Sequence, residues 1–182
     1  MSEPSLPDKV LAVHRTLAEA RIDHAFGGAL ALAYYAEPRT TIDIDVNVFA
    51  SPDQHESIHA ALVPLGVGGE TDPAAVERDG QCRWWWGRTP LDVFFAYDEL
   101  HEAMRRAARR VPFGEDELTI LAPEHLAVCK AVFDRPKDWL DVEQMLVCVD
   151  DLDMREIDGW LERIAGARDP RRERFAALAS AS

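Results

Sequence analysis

Three aspartates carry the chemistry that this chain could most readily perform. Asp43 and Asp45 stand two apart in Arg39-Thr40-Thr41-Ile42-Asp43-Ile44-Asp45-Val46, and Asp92 is the one acid in Leu91-Asp92-Val93-Phe94-Phe95. Side chains alternate faces along a strand, so Asp43 and Asp45 should share one side while Ile42, Ile44 and Val46 pack inward. Like charges held that close repel unless a cation neutralises them. Two carboxylates on a rigid strand therefore suit Mg²⁺, a hard ion that prefers oxygen ligands and bound phosphates. An isolated acid in an apolar strand is costly unless it is paired or coordinating. Placed beside the first strand, Asp92 completes a three-carboxylate site that could hold two divalent ions ~4 Å apart, one activating a hydroxyl and one on a triphosphate. The plainer readings are a wet outer face for Asp43 and Asp45, and a strand-entry position at a sheet edge for Asp92.

Fifteen residues before Asp43 lies Gly28, in His24-Ala25-Phe26-Gly27-Gly28-Ala29-Leu30. A short apolar run, two glycines and a helix-like stretch over 29–36 would expose backbone N–H groups and a helix N-terminus to an anion. A plain turn is the alternative. Further on, Pro123-Glu124-His125 opens a helix-like run over 126–133. Pro136 must break it near Arg135. Lys137 and Asp138 then fall in the first turn of a helix reaching residue 146, near Lys130 and Arg135, where phosphate charge would be welcome. Taken singly, Asp138 complements a helix dipole and Lys130 is a solvated lysine.

The elements that must position these groups read as an alternation. Helices are expected at 6–20, 29–36, 52–62, 99–110 and 154–164, and strands near Ala25, at Asp43 and at 118–121. A Gly-rich loop covers 66–69, and runs 81–86 and 91–95 form a hairpin around a Gly87-Arg88-Thr89-Pro90 turn. In Trp84-Trp85-Trp86, core packing on alternate faces is favoured over a base-stacking platform. The pattern predicts an α/β (α+β) fold, a mixed β-sheet with flanking helices and C-terminal helices. One domain is expected over 1–182, with its core at about 6–122, a helical part at about 123–166 and a frayed tail at 169–182.

Composition narrows the partners. A net charge of −13 argues against non-specific grip on nucleic acid, which rests on neutralising phosphates. Arg105, Arg106, Arg109 and Arg110 on one helix-like stretch, and Arg168, Arg171, Arg172 and Arg174 near the end, are either solvated faces or contacts for an acidic partner or RNA. No leader opens the chain and no apolar run approaches the ~20 residues of a membrane span, so a cytoplasmic protein is expected. Cys82, Cys129 and Cys148 are odd in number and widely spaced, and read as reduced core thiols. His55 and His59, four apart, read as one face of a surface helix.

The chain resembles the nucleotidyltransferase superfamily (the polymerase-β-like fold) in its Gly-Gly turn, its Asp-x-Asp and a lone Asp on a later strand. It is most similar to AbiEii-type toxin nucleotidyltransferases. Gly27-Gly28-Ala29-Leu30 running on to Arg39-Thr40-Thr41-Ile42-Asp43-Ile44-Asp45 carries that likeness, as does Lys130-Ala131-Val132-Phe133-Asp134-Arg135-Pro136-Lys137-Asp138-Trp139-Leu140-Asp141. The resemblance implies a nucleotidyltransferase fold and a Mg²⁺-dependent transfer of a nucleoside monophosphate from an NTP to an acceptor hydroxyl, with two ions. Asp43, Asp45 and Asp92 would be catalytic and metal-binding. Gly27, Gly28, Arg39, Thr40, Lys130, Lys137 and Asp138 would bind nucleotide and phosphate. It also implies the toxin of a toxin–antitoxin pair, acting on RNA or protein, with a cognate antitoxin as partner. Phe26 and Ala29 stand where the family often carries a basic and a hydroxyl residue. Those departures keep open a small-molecule acceptor, as in aminoglycoside or lincosamide nucleotidyltransferases, and a non-catalytic regulatory protein of the same fold.

Overall fold

The computed structural model describes residues 3–181. Ser5 opens the first helix, α1 (Leu6–Glu19). Its hydroxyl accepts from the Asp8 N–H while the Asp8 carboxylate accepts from the Ser5 N–H, satisfying groups that a helix start leaves open. Val10, Val13 and Leu17 recur at helical spacing and form its buried face. Next come β1 (His24–Phe26), α2 (Gly28–Leu32), β2 (Ile44–Val48), α3 (His55–Leu62), β3 (Val67–Gly68) and α4 (Pro73–Asp79). The hairpin β4 (Gln81–Trp86) and β5 (Thr89–Phe95) leads to α5 (Glu99–Ala107), then β6 (Arg109–Phe113) and β7 (Asp116–Ile120). Four helices close the chain: α6 (Pro123–Phe133), α7 (Pro136–Cys148), α8 (Met154–Ala165) and α9 (Pro170–Ala179).

Among the described residues the strands form one seven-stranded sheet in the order β3-β4-β5-β2-β1-β7-β6. It is mixed, as expected: β2 pairs parallel with β5 and antiparallel with β1, and β1 pairs parallel with β7. The chain divides into two compact units. One holds the residues up to Leu30 and Thr40–Ile120, the other Ala31–Arg39 and the chain from Leu121 onward.

The first unit contains the whole sheet. Ile44, Val46 and Val48 on β2 are the register partners of Leu91, Val93 and Phe95 on β5, and all six are buried. Alternation turns the residues between them, Asp45 and Asp92, to the opposite face, where both are half-buried. Lys9 is 1 % exposed. Its ammonium donates to the Trp86 carbonyl at 2.8 Å, to Thr89 Oγ1 at 2.9 Å and to Glu3, tying α1 to the β4–β5 hairpin.

At the far end of β1 two imidazoles share a proton. His24 Nδ1 lies 2.8 Å from the Ile22 carbonyl and donates to it, so His24 Nε2 accepts from His14 Nδ1, also at 2.8 Å. Burial pushes both rings below their ordinary 6.5, desolvation being the leading cause in each. A depressed folded pKa means that the unfolded chain takes up the proton first. The stability contributed is fully present above about 6.5 and is lost as pH falls through the folded values, by at most about 1.4 kcal/mol per pH unit for each histidine. Thermal melts between pH 7 and 5.5 should therefore show a falling midpoint, with a shallower fall in His24→Asn.

In the second unit α6 packs on α7, α8 and α9 around Leu126, Trp139, Met145, Ile157, Leu161 and Phe175. Asp134 ends α6 at φ +56°, and its carboxylate accepts the Trp139 indole N–H at 2.6 Å. Pro136 then opens α7, placing Lys137 and Asp138 in its first turn as the proline spacing required.

Other expectations are corrected. The helix over 29–36 is only α2, ending at Leu32; Tyr34, Tyr35 and Ala36 close turns instead, ahead of Glu37-Pro38, where the proline disfavours helical geometry. Strand β2 starts at Ile44, so Asp43 precedes it, its N–H bonded to the Thr41 hydroxyl at 3.1 Å, and Ile42 points outward at 65 % exposure. Helix α5 stops at Ala107, and Arg109 and Arg110 belong to the edge strand β6, where Pro112 is tolerated. The stretch after Gly69 contains a helix, α4, capped by Asp72 and closed by Gly80 at φ +64°. Among the described residues the expected frayed tail holds a helix, α9, capped by the Asp169 side chain, with Phe175 2 % exposed. Cys148 is exposed rather than in the core. His55 is buried, and His59 stacks on the buried Trp84 at 4.6 Å, so this pair turns inward. Among the described residues no helix is long and apolar enough to cross a membrane.

Candidate active site

The site is built across three adjacent strands. Asp45 on β2 is the register partner of Asp92 on β5, and Asp92 is the partner of Arg83 on β4. Directly paired residues project to the same side of a sheet, so Asp45, Asp92 and Arg83 form a row. Arg83 Nε and Nη2 each lie 2.7 Å from one oxygen of Asp92, a two-point ion pair. That pair raises the Arg83 pKa most, and the charges of Asp92, Asp43 and Asp45 raise it further. Asp43, one residue before β2, is thus part of the same acidic field. The field also acts on Cys82: burial first, and Asp92 second, push its thiol up to about 12.

The glycine turn meets this row from β1. Gly27 N–H donates to the Asp45 carbonyl at 2.9 Å, which commits that donor to the sheet. Gly28 adopts φ +56°, and a Cβ there would stand 1.8 Å from Asp45 Oδ2. Only a residue without a side chain allows the carboxylate to lie against the turn. Gly28→Ala should therefore cost about 2 kcal/mol, roughly the left-handed penalty plus displacement of Asp45. Gly114, at φ +64° with open space around it, is the control: Gly114→Ala bears the backbone strain alone. Chemical denaturation of both variants measures the difference.

The remaining residues expected to bind nucleotide or phosphate divide between the two units. Thr40 is exposed and belongs to the first unit. Arg39, Lys130, Lys137 and Asp138 belong to the second unit. Lys130 is 4 % exposed, and its ammonium donates to Asp141 Oδ2 at 2.5 Å. Arg39 grips the same carboxylate with two bonds of 3.2 Å. Asp138, 1 % exposed, accepts from the Arg135 backbone at 3.3 Å and from its guanidinium at 2.6 and 3.1 Å. Lys137 is exposed.

A four-residue hairpin turn over 87–90 sets Trp85, not Arg83, opposite Asp92. The turn is Gly87-Arg88, with Gly87 at φ +59°, and Thr89 and Pro90 already pair with Trp86 and Trp85. A two-residue turn, counted outward from Gly87-Arg88, would have placed Arg83 at Asp92.

The fold has counterparts among solved structures. The antibiotic-resistance factor ANT(2'')-Ia aligns with TM-score 0.63 and 16 % identity over 99 % of this chain and 98 % of its own. An antigenic nucleotidyltransferase-like protein from Paracoccidioides brasiliensis aligns with TM-score 0.57 and 14 % identity, over 97 % of this chain and 93 % of its own. The lincosamide antibiotic adenylyltransferase LnuA, in a lincomycin-bound structure, aligns with TM-score 0.57 and 9 % identity over 81 % of this chain and 100 % of its own. This chain has the nucleotidyltransferase fold. No family model matches it, and no curated protein matches it.

On this nucleotidyltransferase fold the donor chemistry suits a hard divalent ion. Asp43, Asp45 and Asp92 offer oxygens only, and the Gly28 cradle that a Cβ would fill fixes one of them. Among the described residues no three acidic, histidine or cysteine side chains are grouped closely enough to hold a metal as they stand. Arg83 supplies the positive charge at Asp92 instead.

Proposed function

We propose that this protein is a divalent-metal-dependent nucleotidyltransferase that moves a nucleoside monophosphate from an NTP to an acceptor hydroxyl. One observation carries the reading: Asp45 and Asp92 stand in register on neighbouring strands, with the first held against a side-chain-free glycine turn. The nucleotidyltransferase fold supports it. Asp43, Asp45 and Asp92 would hold Mg²⁺, which when bound neutralises triphosphate charge and eases ionisation of the acceptor hydroxyl. The chain's own part is positional. Gly28 fixes the Asp45 carboxylate and lets phosphate approach the backbone, and Asp92 orients the acceptor hydroxyl and accepts its proton.

Two acceptor classes follow from different evidence. The likeness of the Gly27–Asp45 and Lys130–Asp141 stretches to AbiEii-type toxins supports a toxin–antitoxin toxin acting on RNA or protein. The near full-length structural likeness to ANT(2'')-Ia, and the net charge of −13, favour a small hydroxyl-bearing molecule such as an aminoglycoside. Incubation with each labelled NTP and Mg²⁺, against separate pools of tRNA, cell protein, aminoglycosides and lincosamides, decides between them. Label in a pool identifies the acceptor class. No label in any pool, with no NTP binding by calorimetry, overturns the enzyme reading.

A further inference from the structure

The Arg83–Asp92 pair sits where the proposed function needs an open carboxylate. Asp92 is 18 % exposed at its side chain, and both of its oxygens are already engaged, each at 2.7 Å from a guanidinium nitrogen. A guanidinium held at both oxygens puts a positive charge where a divalent ion would bind and opposes its approach. Arg83 is itself on the rim, with its side chain 52 % exposed, and reaches Asp92 directly across the β4–β5 ladder. Its stem is long and has solvent to move into, whereas Asp92 is fixed between β2 and β4. Asp43 and Asp45 add their charge to the attraction that keeps the guanidinium in place.

We propose that Arg83 is an internal counter-cation of the acidic site, competing with a divalent ion for Asp92 and leaving when that ion binds. This deepens the proposed function and rests on its assignment of the three carboxylates to a cation. Metal entry is then an exchange of partners: the guanidinium swings to solvent as Asp92 turns to the ion. Without metal, Arg83 prevents three acids from repelling one another across two strands. With metal, that duty passes to the ion. The exchange sets the affinity for free cation lower than the carboxylates alone would give, which restrains the site from filling before substrate arrives.

The test is binding of Mn²⁺ alone, followed by electron paramagnetic resonance of the free ion, so that no turnover is needed. Arg83→Gln should bind Mn²⁺ about three- to tenfold more tightly than the unaltered protein, consistent with losing one solvent-facing ion pair of about 1 kcal/mol. The gain should shrink or vanish when Arg83→Gln is combined with Asp92→Asn, because the competition is then gone. Equal or weaker binding by Arg83→Gln, in a protein that binds Mn²⁺ through Asp45, overturns the counter-cation role and leaves the metal site standing. No binding at millimolar Mn²⁺ by either protein overturns both. Arg83→Lys keeps a charge but loses the two-point grip, and should lie between the two if competition operates.

Discussion

Asp45→Asn is expected to lose nucleotidyl transfer by more than the roughly 10–100-fold that removing a metal's outer partner costs, while the protein stays folded. The physical reason is that the glycine turn packs directly against the Asp45 carboxylate. Gly27 bonds its carbonyl, Gly28 abuts its carboxylate, and Asp92 is its register partner. Asparagine preserves the shape and removes the charge that a divalent ion requires. Circular dichroism should be unchanged, and label transfer in whichever acceptor pool is active should fall to background. Transfer retained within a few-fold of the unaltered rate would mean that the carboxylate row is not the reaction centre.

Asp141→Ala is expected to destabilise the protein by about 3–5 kcal/mol, the usual cost of removing one partner from a buried ion pair. Asp141 is 4 % exposed and holds two cations, Lys130 at 2.5 Å and Arg39 through paired 3.2 Å bonds. Arg39 can turn to water, but Lys130, at 4 % exposure, cannot do so without opening the helices around it. Urea denaturation measures the loss. Replacing both partners, as in Lys130→Met with Asp141→Leu, should recover most of the stability, because an apolar pair leaves no charge stranded. If the double variant is as unstable as the single, the packing around this pair rather than its charge accounts for the effect.

How far the sequence reached can be followed through these residues. Alternation in Ile44-Asp45-Val46 is enough to turn Asp45 away from the aliphatic side, whereas Asp92 shares its face only because β2 and β5 pair in register. The Gly27-Gly28 turn and the break at Pro136 were equally legible, since a missing Cβ and a missing N–H constrain the chain locally. Asp43 was assigned one position too far into its strand, because the Thr41 hydroxyl captures its N–H before the ladder begins. The residues after Asp169-Pro170 suggest a frayed tail, although Asp-Pro is itself a helix-start signal. What anchors them is the burial of Phe175, a contact made far along the chain.

Local chemistry therefore determined which carboxylates stand on strands and where the glycine turn and the Pro136 break fall. Tertiary structure alone decided whom they answer to. Arg83 meets Asp92 because a two-residue turn sets the hairpin register. Lys130 meets Asp141 and Arg39 because two helices and a preceding loop close around one carboxylate. A charge carries its sign in the sequence, but its partner is set by whichever opposite charge the fold brings within about 3 Å, and no spacing rule along the chain encodes that distance.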